Sequence, residues 1–228
     1  MELKICVVGC GMIGREHIER IQNRIKNATV VAVCDVFEEG AKKGAEIAGP
    51  GTKVYTDFNQ AINDPDVNAV VVTTPGAFHK DPVIAAIKAG KPVFSEKPLA
   101  NTAADCKAVV DAEMASGKHL VQVGFMRRYD RGYNQVKELI DSGKFGAPLV
   151  VKCTHRADGV APDYTTAMAV TDTAIHEIDC LPWLVGDEWD EVQCIMPKVS
   201  SKAHEGLKDP QVMIMKTKGG VVVVLEVN

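Results

Sequence analysis

Three groups of residues in this chain have types and spacings that could do chemistry. The first is the run Val7-Val8-Gly9-Cys10-Gly11-Met12-Ile13-Gly14, which spells G-x-G-x-x-G between an apolar, strand-like stretch and a helix-like one. In that context each glycine has a task. Gly9 permits a tight turn out of the strand, Gly11 lets the backbone approach a pyrophosphate, and Gly14 lets the helix pack on a sheet. The helix amino terminus then offers N–H groups and a partial positive charge to phosphates. Asp35 closes the next apolar run, Thr29 to Cys34, at roughly the 20-residue offset of an acid that holds a ribose 2′-hydroxyl. A carboxylate there repels a 2′-phosphate, so the pattern predicts NAD rather than NADP.

The second group is Glu96-Lys97-Pro98, directly after a strand. Ligands bind outside the carboxyl ends of the strands of open α/β sheets, which places Lys97 to donate to a substrate hydroxyl or alkoxide. An ordinary loop lysine is the alternative, and Pro98 is a candidate cis proline. The third group is Asp172 and His176, four apart on a predicted helix and so sharing a face. A histidine next to a carboxylate is a natural general base near neutral pH; the pair also reads as a surface ion pair, with Asp172 simply favoured near a helix amino terminus. His176-Glu177-Ile178-Asp179 is not a zinc protease motif, because Cys180 replaces the second histidine of H-E-x-x-H.

Other residues carry weaker signals. His79 follows the turn Thr73-Thr74-Pro75-Gly76 and either lines the nicotinamide side of the site or caps a helix. Arg127 and Arg128 contact a ligand or act as interdomain salt-bridge partners. His155 ends a strand of the second half and is a candidate to face the substrate. His17, His119 and His204 have no partner pattern and read as ordinary.

These groups need elements to hold them. Through residue 123 the pattern alternates strands (Leu3–Val8, Val30–Asp35, Lys53–Tyr55, Ala69–Val72, Pro92–Ser95, His119–Val123) with helices (Met12–Gln22, Phe37–Ala48, Phe58–Ile62, about Phe78 to Gly90, Ala103–Ser116). Asn101 or Thr102 caps the last helix and Gly117 stops it. Strands apolar on both faces and separated by helices imply a doubly wound parallel sheet. From Gly124 the character changes. A helix over Tyr129–Ile140, a strand over Pro148–His155, an irregular stretch over 156–170, a helix over Asp172–Val185 and three strands (Val192–Met196, Gln211–Thr217, Val221–Val227) read as an α+β domain with a mainly antiparallel sheet. The expected domains are therefore 1–123, binding a dinucleotide, and 124–228, binding substrate. The stop at Asn228, directly after an apolar strand, suggests a fragment whose sheet is unfinished or completed by a neighbour.

Composition excludes some roles. The 228 residues carry 30 acidic against 26 basic side chains, a net charge of −4, which gives no general attraction to nucleic acid or anionic membranes. The aliphatic run Val221 to Leu225 is far too short to span a bilayer. The seven cysteines are scattered and form no C-x-x-C, which predicts a reducing cytoplasm and no structural zinc or other metal.

Taken together, Gly9-x-Gly11-x-x-Gly14, Glu96-Lys97-Pro98 and Asp172…His176 resemble the Gfo/Idh/MocA oxidoreductases. The segment Leu120 to Asp130, Tyr164-Thr165-Thr166, Met168-Ala169-Val170 and Asp172-Thr173 with His176 to Asp179 look like the inositol-oxidising members of that family. The similarity runs through nearly all of the chain. It implies a Rossmann domain followed by the α+β domain, and NAD-dependent oxidation of the axial hydroxyl of myo-inositol to scyllo-inosose. By the resemblance, Lys97, Asp172 and His176 match the catalytic triad, and Gly9, Gly11, Met12, Ile13, Gly14 and Asp35 match the dinucleotide contacts. Thr74, Pro75, His79, Glu96, Lys97 and Arg127 fall where members line the nicotinamide end, while Lys97, Arg127, His155, Asp172, Thr173 and His176 fall where inositol is held. Members are usually homotetramers joined through the open sheet of the second domain. They are also longer, so this chain is expected to lack the last part of that domain. Ala157 stands where close relatives have a polar residue, and Thr74-Pro75-Gly76 departs from a bulkier loop seen in some. Both bear on the substrate, and other inositol epimers or a sugar such as glucose are alternatives. A catalytically silent NAD-binding regulator is an alternative of another class.

Overall fold

The computed structural model describes residues 2–228, which divide into two compact units between Gly124 and Phe125. The first unit alternates β1 (Leu3–Val8), α1 (Met12–Arg24), β2 (Ala28–Cys34), α2 (Glu38–Ala48), β3 (Lys53–Tyr55), α3 (Phe58–Asn63), β4 (Ala69–Val72), α4 (Lys80–Lys88), β5 (Val93–Ser95), α5 (Ala103–Ser116) and β6 (Val121–Val123). The six strands are parallel, in the order β3-β2-β1-β4-β5-β6. The order reverses between β1 and β4, and the crevice at the carboxyl ends of these two strands is where such sheets bind ligands.

Alternation along β1 explains the layering. Ile5 and Val7 pack with Ile18 and Ile21 of α1 and Ala41 of α2. Cys6 and Val8 pack on the other face with Ile62, Val83, Ile87 and Val109 of α3, α4 and α5. Helix ends follow local chemistry. Asp57 caps α3 by accepting the Asn59 N–H at 2.8 Å. Of the two candidates for α5 it is Thr102 that accepts, from the Asp105 N–H at 3.1 Å, and Gly117 ends that helix in the left-handed region at φ 67°. The helix expected from Phe78 begins at Lys80, after a 3₁₀ turn over Gly76–Phe78.

The second unit holds a 3₁₀ turn (Met126–Tyr129), α6 (Arg131–Asp141), β7 (Val150–His155), a π-helical turn (Ala169–Ala174), α7 (Ile175–Val185), β8 (Trp189–Ile195), β9 (Gln211–Thr217) and β10 (Val222–Val227). Its sheet runs β7-β10-β9-β8. Both pairs involving β9 are antiparallel, and Lys218 to Gly220 form part of the turn into β10, but β10 pairs with β7 in parallel. By this register Met213, Met215, Val223 and Leu225 share one face, buried with Leu181 and Leu184 of α7. Val150, Ile195 and Ile214 share the other and are exposed.

Two helices of the second unit differ from expectation. α6 starts at Arg131, not Tyr129, because Asp130 caps it, accepting the N–H groups of Gly132 and Tyr133 at 2.8 and 3.1 Å. The expected helix from Asp172 is a π-helical turn that becomes α-helical only at Ile175. Within α7, Pro182 has no N–H for the Ile178 carbonyl one turn back. The Trp189 indole N–H occupies that carbonyl instead, at 3.0 Å.

Candidate active site

The glycine run forms a close-packed turn. Gly9 holds φ +97°, and a Cβ there would stand 2.5 Å from the Thr74 nitrogen and 2.7 Å from the Thr73 carbonyl carbon. The exit loops of β1 and β4 are therefore in direct backbone contact. A Cβ on Gly14 would stand 2.0 Å from the Gly9 carbonyl oxygen, so only glycine lets α1 approach this closely. Gly11 differs: nothing lies within 4 Å of a Cβ placed there, and no side chain caps α1. The flanking Met12 and Ile13 are exposed.

Asp35 stands beside this loop, its Oδ2 accepting the Cys10 N–H at 2.8 Å and its Oδ1 accepting the Phe37 N–H at 3.0 Å. Thr74 Oγ1 is buried with no hydrogen-bond partner among the described residues, a costly state for a hydroxyl unless a ligand satisfies it. The opening at Gly11, the uncapped helix terminus, the fixed carboxylate and this hydroxyl fit a dinucleotide. Burial pushes the thiols of Cys10 and Cys34 up to about 12, so both act as small apolar packing groups there.

The Glu96-Lys97-Pro98 segment leaves β5. The Glu96 N–H bonds the Val72 carbonyl at 2.9 Å, and its carboxylate accepts from His17 Nε2 of α1 at 2.8 Å and from the Lys97 N–H at 3.3 Å. Burial pushes the Glu96 carboxyl up, but the His17 and Lys97 donors outweigh it and the net shift is down. Lys97 is half-buried and the Lys97–Pro98 peptide is cis. His79, 1 % exposed, lies with Nδ1 2.6 Å from the Pro98 carbonyl oxygen and Nε2 2.6 Å from that of Thr74. His79 stands at the amino-terminal boundary of α4, but its side chain makes no cap hydrogen bond there; the imidazole is a buried strut between two loops.

In the second unit a buried carboxylate gathers the candidates. Glu177, 4 % exposed, accepts from the Arg127 guanidinium, and His155 Nδ1 lies 3.2 and 3.3 Å from its two oxygens. The His155 ring stacks at 6.2 Å on that of His176, with 25° between the planes. Arg127 also lies 5.6 Å over the Tyr133 ring. Arg128 bonds both oxygens of Asp179 at 2.8 and 2.6 Å. Both arginines pair with carboxylates of α7 inside the second unit. Thr173 Oγ1 is 2.5 Å from the Tyr164 hydroxyl, and Asp172 is half-buried in the π-helical turn.

Sequence reasoning passed over Glu177 and His17. A signal for Glu177 existed: it stands at the first position of the buried stripe Glu177, Cys180, Leu181, Leu184, and a carboxylate on a core stripe requires partners. For His17 there was none, since its partner lies 79 positions along the chain.

A doubly wound parallel sheet whose glycine loop and a neighbouring carboxylate, Asp35, meet at the reversal of strand order is the architecture that binds dinucleotides. Comparison with known proteins refines the class. Residues 3–125 match the model of the oxidoreductase family with an NAD-binding Rossmann fold, and residues 133–228 match the GFO/IDH/MocA C-terminal domain. The chain belongs to the Gfo/Idh/MocA family.

Among its relatives are the inositol 2-dehydrogenases of Klebsiella pneumoniae subsp. pneumoniae, 48% identical over 227 residues, and of Pseudomonas fluorescens, 50% identical over 227 residues. Each alignment covers 100% of this chain, and 67% and 68% of the respective relative. A crystal structure of myo-inositol dehydrogenase from Lactobacillus casei in complex with NAD(H) and myo-inositol matches at 43% identity and TM-score 0.95, covering 100% of this chain and 68% of that one. Scyllo-inositol dehydrogenase from the same organism, with NAD(H) and scyllo-inositol, matches at 25% identity and TM-score 0.86, covering 99% and 69%.

Proposed function

We propose that the protein oxidises myo-inositol to scyllo-inosose with NAD as the hydride acceptor. The observation that carries this reading is the likeness, along the whole chain, to a myo-inositol dehydrogenase at 43% identity, against 25% for the scyllo-inositol enzyme. The residues present suit the chemistry. His176 is the base that takes the hydroxyl proton, and Asp172 orients it and stabilises its charged form. Lys97 donates to the same hydroxyl oxygen and stabilises the developing alkoxide. Arg127, His155 and Thr173 supply hydrogen bonds to the remaining hydroxyls, with Arg127 and His155 held by Glu177. Gly9, Gly11, Met12, Ile13, Gly14 and Asp35 hold the dinucleotide, and Thr74, Pro75, Glu96, Lys97 and Arg127 lie toward its nicotinamide end. NAD, when bound, accepts the hydride from the carbinol carbon, which becomes the ketone.

The 1–123 part serves the cofactor and the 124–228 part the polyol. All seven cysteines are free, which suits a cytoplasmic location, and no helix among the described residues is long and apolar enough to cross a membrane. The exposed sheet face bearing Val150, Ile195 and Ile214 suits assembly into a homotetramer. The test is NADH formation at 340 nm with myo-, scyllo- and chiro-inositol and glucose. Turnover is expected with myo-inositol, and Lys97→Ala and His176→Ala are each expected to lower kcat by about 100-fold or more while NAD binding persists. A chain that binds NAD and is silent on myo-inositol would overturn the reading.

A further inference from the structure

Lys97 has neighbours on both sides that are tied down by histidines. On one side the Glu96 carboxylate accepts from His17 Nε2 at 2.8 Å, and the His17 ring also meets Phe94 of β5 edge-on at 5.6 Å. On the other side the Pro98 carbonyl faces His79 Nδ1 at 2.6 Å, while the opposite ring nitrogen of His79 faces the Thr74 carbonyl at 2.6 Å. The contact between these loops is close. A Cβ on Gly76 would stand 3.0 Å from Pro98 Cδ and Cγ and 2.9 Å from Asn101 Oδ1. His17 belongs to α1, whose amino terminus faces the opening at Gly11, and Thr74 follows β4, whose exit loop presses on Gly9. The segment carrying Lys97 is thus fastened at Glu96 to the phosphate-side helix and at Pro98 to the β4 loop.

We propose that His17 and His79 are positioning residues: they fix the backbone on either side of Lys97, so that its ammonium is presented in one place relative to the dinucleotide loop. The inference rests on Lys97 acting in the proposed oxidation. A misplacement of about 1 Å at a reacting centre costs up to about 100-fold in rate, so the clamp is read in kcat rather than in cofactor affinity.

The two ring nitrogens of His79 allow a directional test on the full chain. An asparagine amide reaches about where Nδ1 lies and a glutamine amide about where Nε2 lies. His79→Asn keeps the link to Pro98, and His79→Gln keeps only the link to Thr74. Each keeps one of the two contacts and gives up the other, so their stabilities should fall together. With myo-inositol and NAD, His79→Gln is expected to lose about 10-fold or more in kcat and His79→Asn clearly less, with KM for NAD within about 3-fold. In α1, His17→Leu is expected to lose about 10-fold in kcat, and His17→Gln, which keeps a donor toward Glu96, to recover most of it.

Amide hydrogen exchange at Glu96 and Lys97, read in the same variants, needs no substrate. Faster exchange in His79→Gln and His17→Leu, with wild-type protein silent on every polyol, would sink the substrate reading and leave the clamp standing. Equal kcat losses in His79→Asn and His79→Gln, or kcat and exchange unchanged in His17→Leu, would overturn the clamp.

Discussion

Asp35 and Glu177 show how a single carboxylate takes its role from its partners. The oxygens of Asp35 are held by the N–H groups of Cys10 and Phe37, so its charge is fixed beside the glycine loop. Asp35→Asn keeps the shape and removes the carboxylate on which the proposed selectivity for NAD rests. The preference for NAD over NADP, measured as a ratio of kcat/KM, is expected to fall by about 10-fold or more. Glu177 is buried and holds two groups, Arg127 and His155. Glu177→Ala leaves a mostly buried guanidinium unpaired and is expected to cost about 3 kcal/mol in urea denaturation. By the role proposed for His155, which loses its anchor, KM for the polyol should also rise. The glycine turn was legible from spacing because its pattern is written in a few adjacent positions, whereas Lys97, Asp172 and His176 stood out only together, through the family resemblance. His17 was not legible, because a hydrogen bond to Glu96, 79 positions along the chain, leaves no local pattern.

At the scale of elements, fit between α1 and the sheet decides whether the dinucleotide loop exists. Gly14→Ala would place a methyl group 2.0 Å from the Gly9 carbonyl oxygen, and α1 must move. A loss of about 1–3 kcal/mol in stability is expected, together with an NAD affinity weakened by about 10-fold or more on fluorescence titration. The alternation of strands and helices in the first unit was legible because buried parallel strands are continuous apolar runs. In the second unit the π-helical turn over Ala169–Ala174 was not legible: the i, i+4 spacing of Asp172 and His176 suits an α-helix, and nothing in the local sequence marks the wider turn. The parallel pairing of β7 with β10 was likewise hidden, since a turn after β9 signals only the antiparallel neighbour.

At the scale of the whole molecule, resistance to acid depends on groups far from the chemistry. Burial pushes the Asp64 carboxyl up, but hydrogen bonds from Lys53, Tyr55 and the Asp66 N–H outweigh it and hold it near about 2, below its ordinary 3.8. A carboxyl lowered on folding stabilises the folded chain fully above the ordinary value, and that contribution fades as pH falls toward the lowered one. The stability gap between wild type and Asp64→Asn, followed by circular dichroism in urea, should therefore be full at pH 5 and close between about pH 4 and 2. The two sheets also differ in when they can be built. In the first, the strand made earliest, β1, lies at the centre, and later strands are added around it. In the second, β10 lies between β7 and β9 although it is made after both. As the chain leaves the ribosome the first sheet can grow strand by strand, while β7 must wait, its inner edge uncovered, until Val222–Val227 emerges. An unpaired strand edge of that kind is what makes a partly folded chain prone to aggregate.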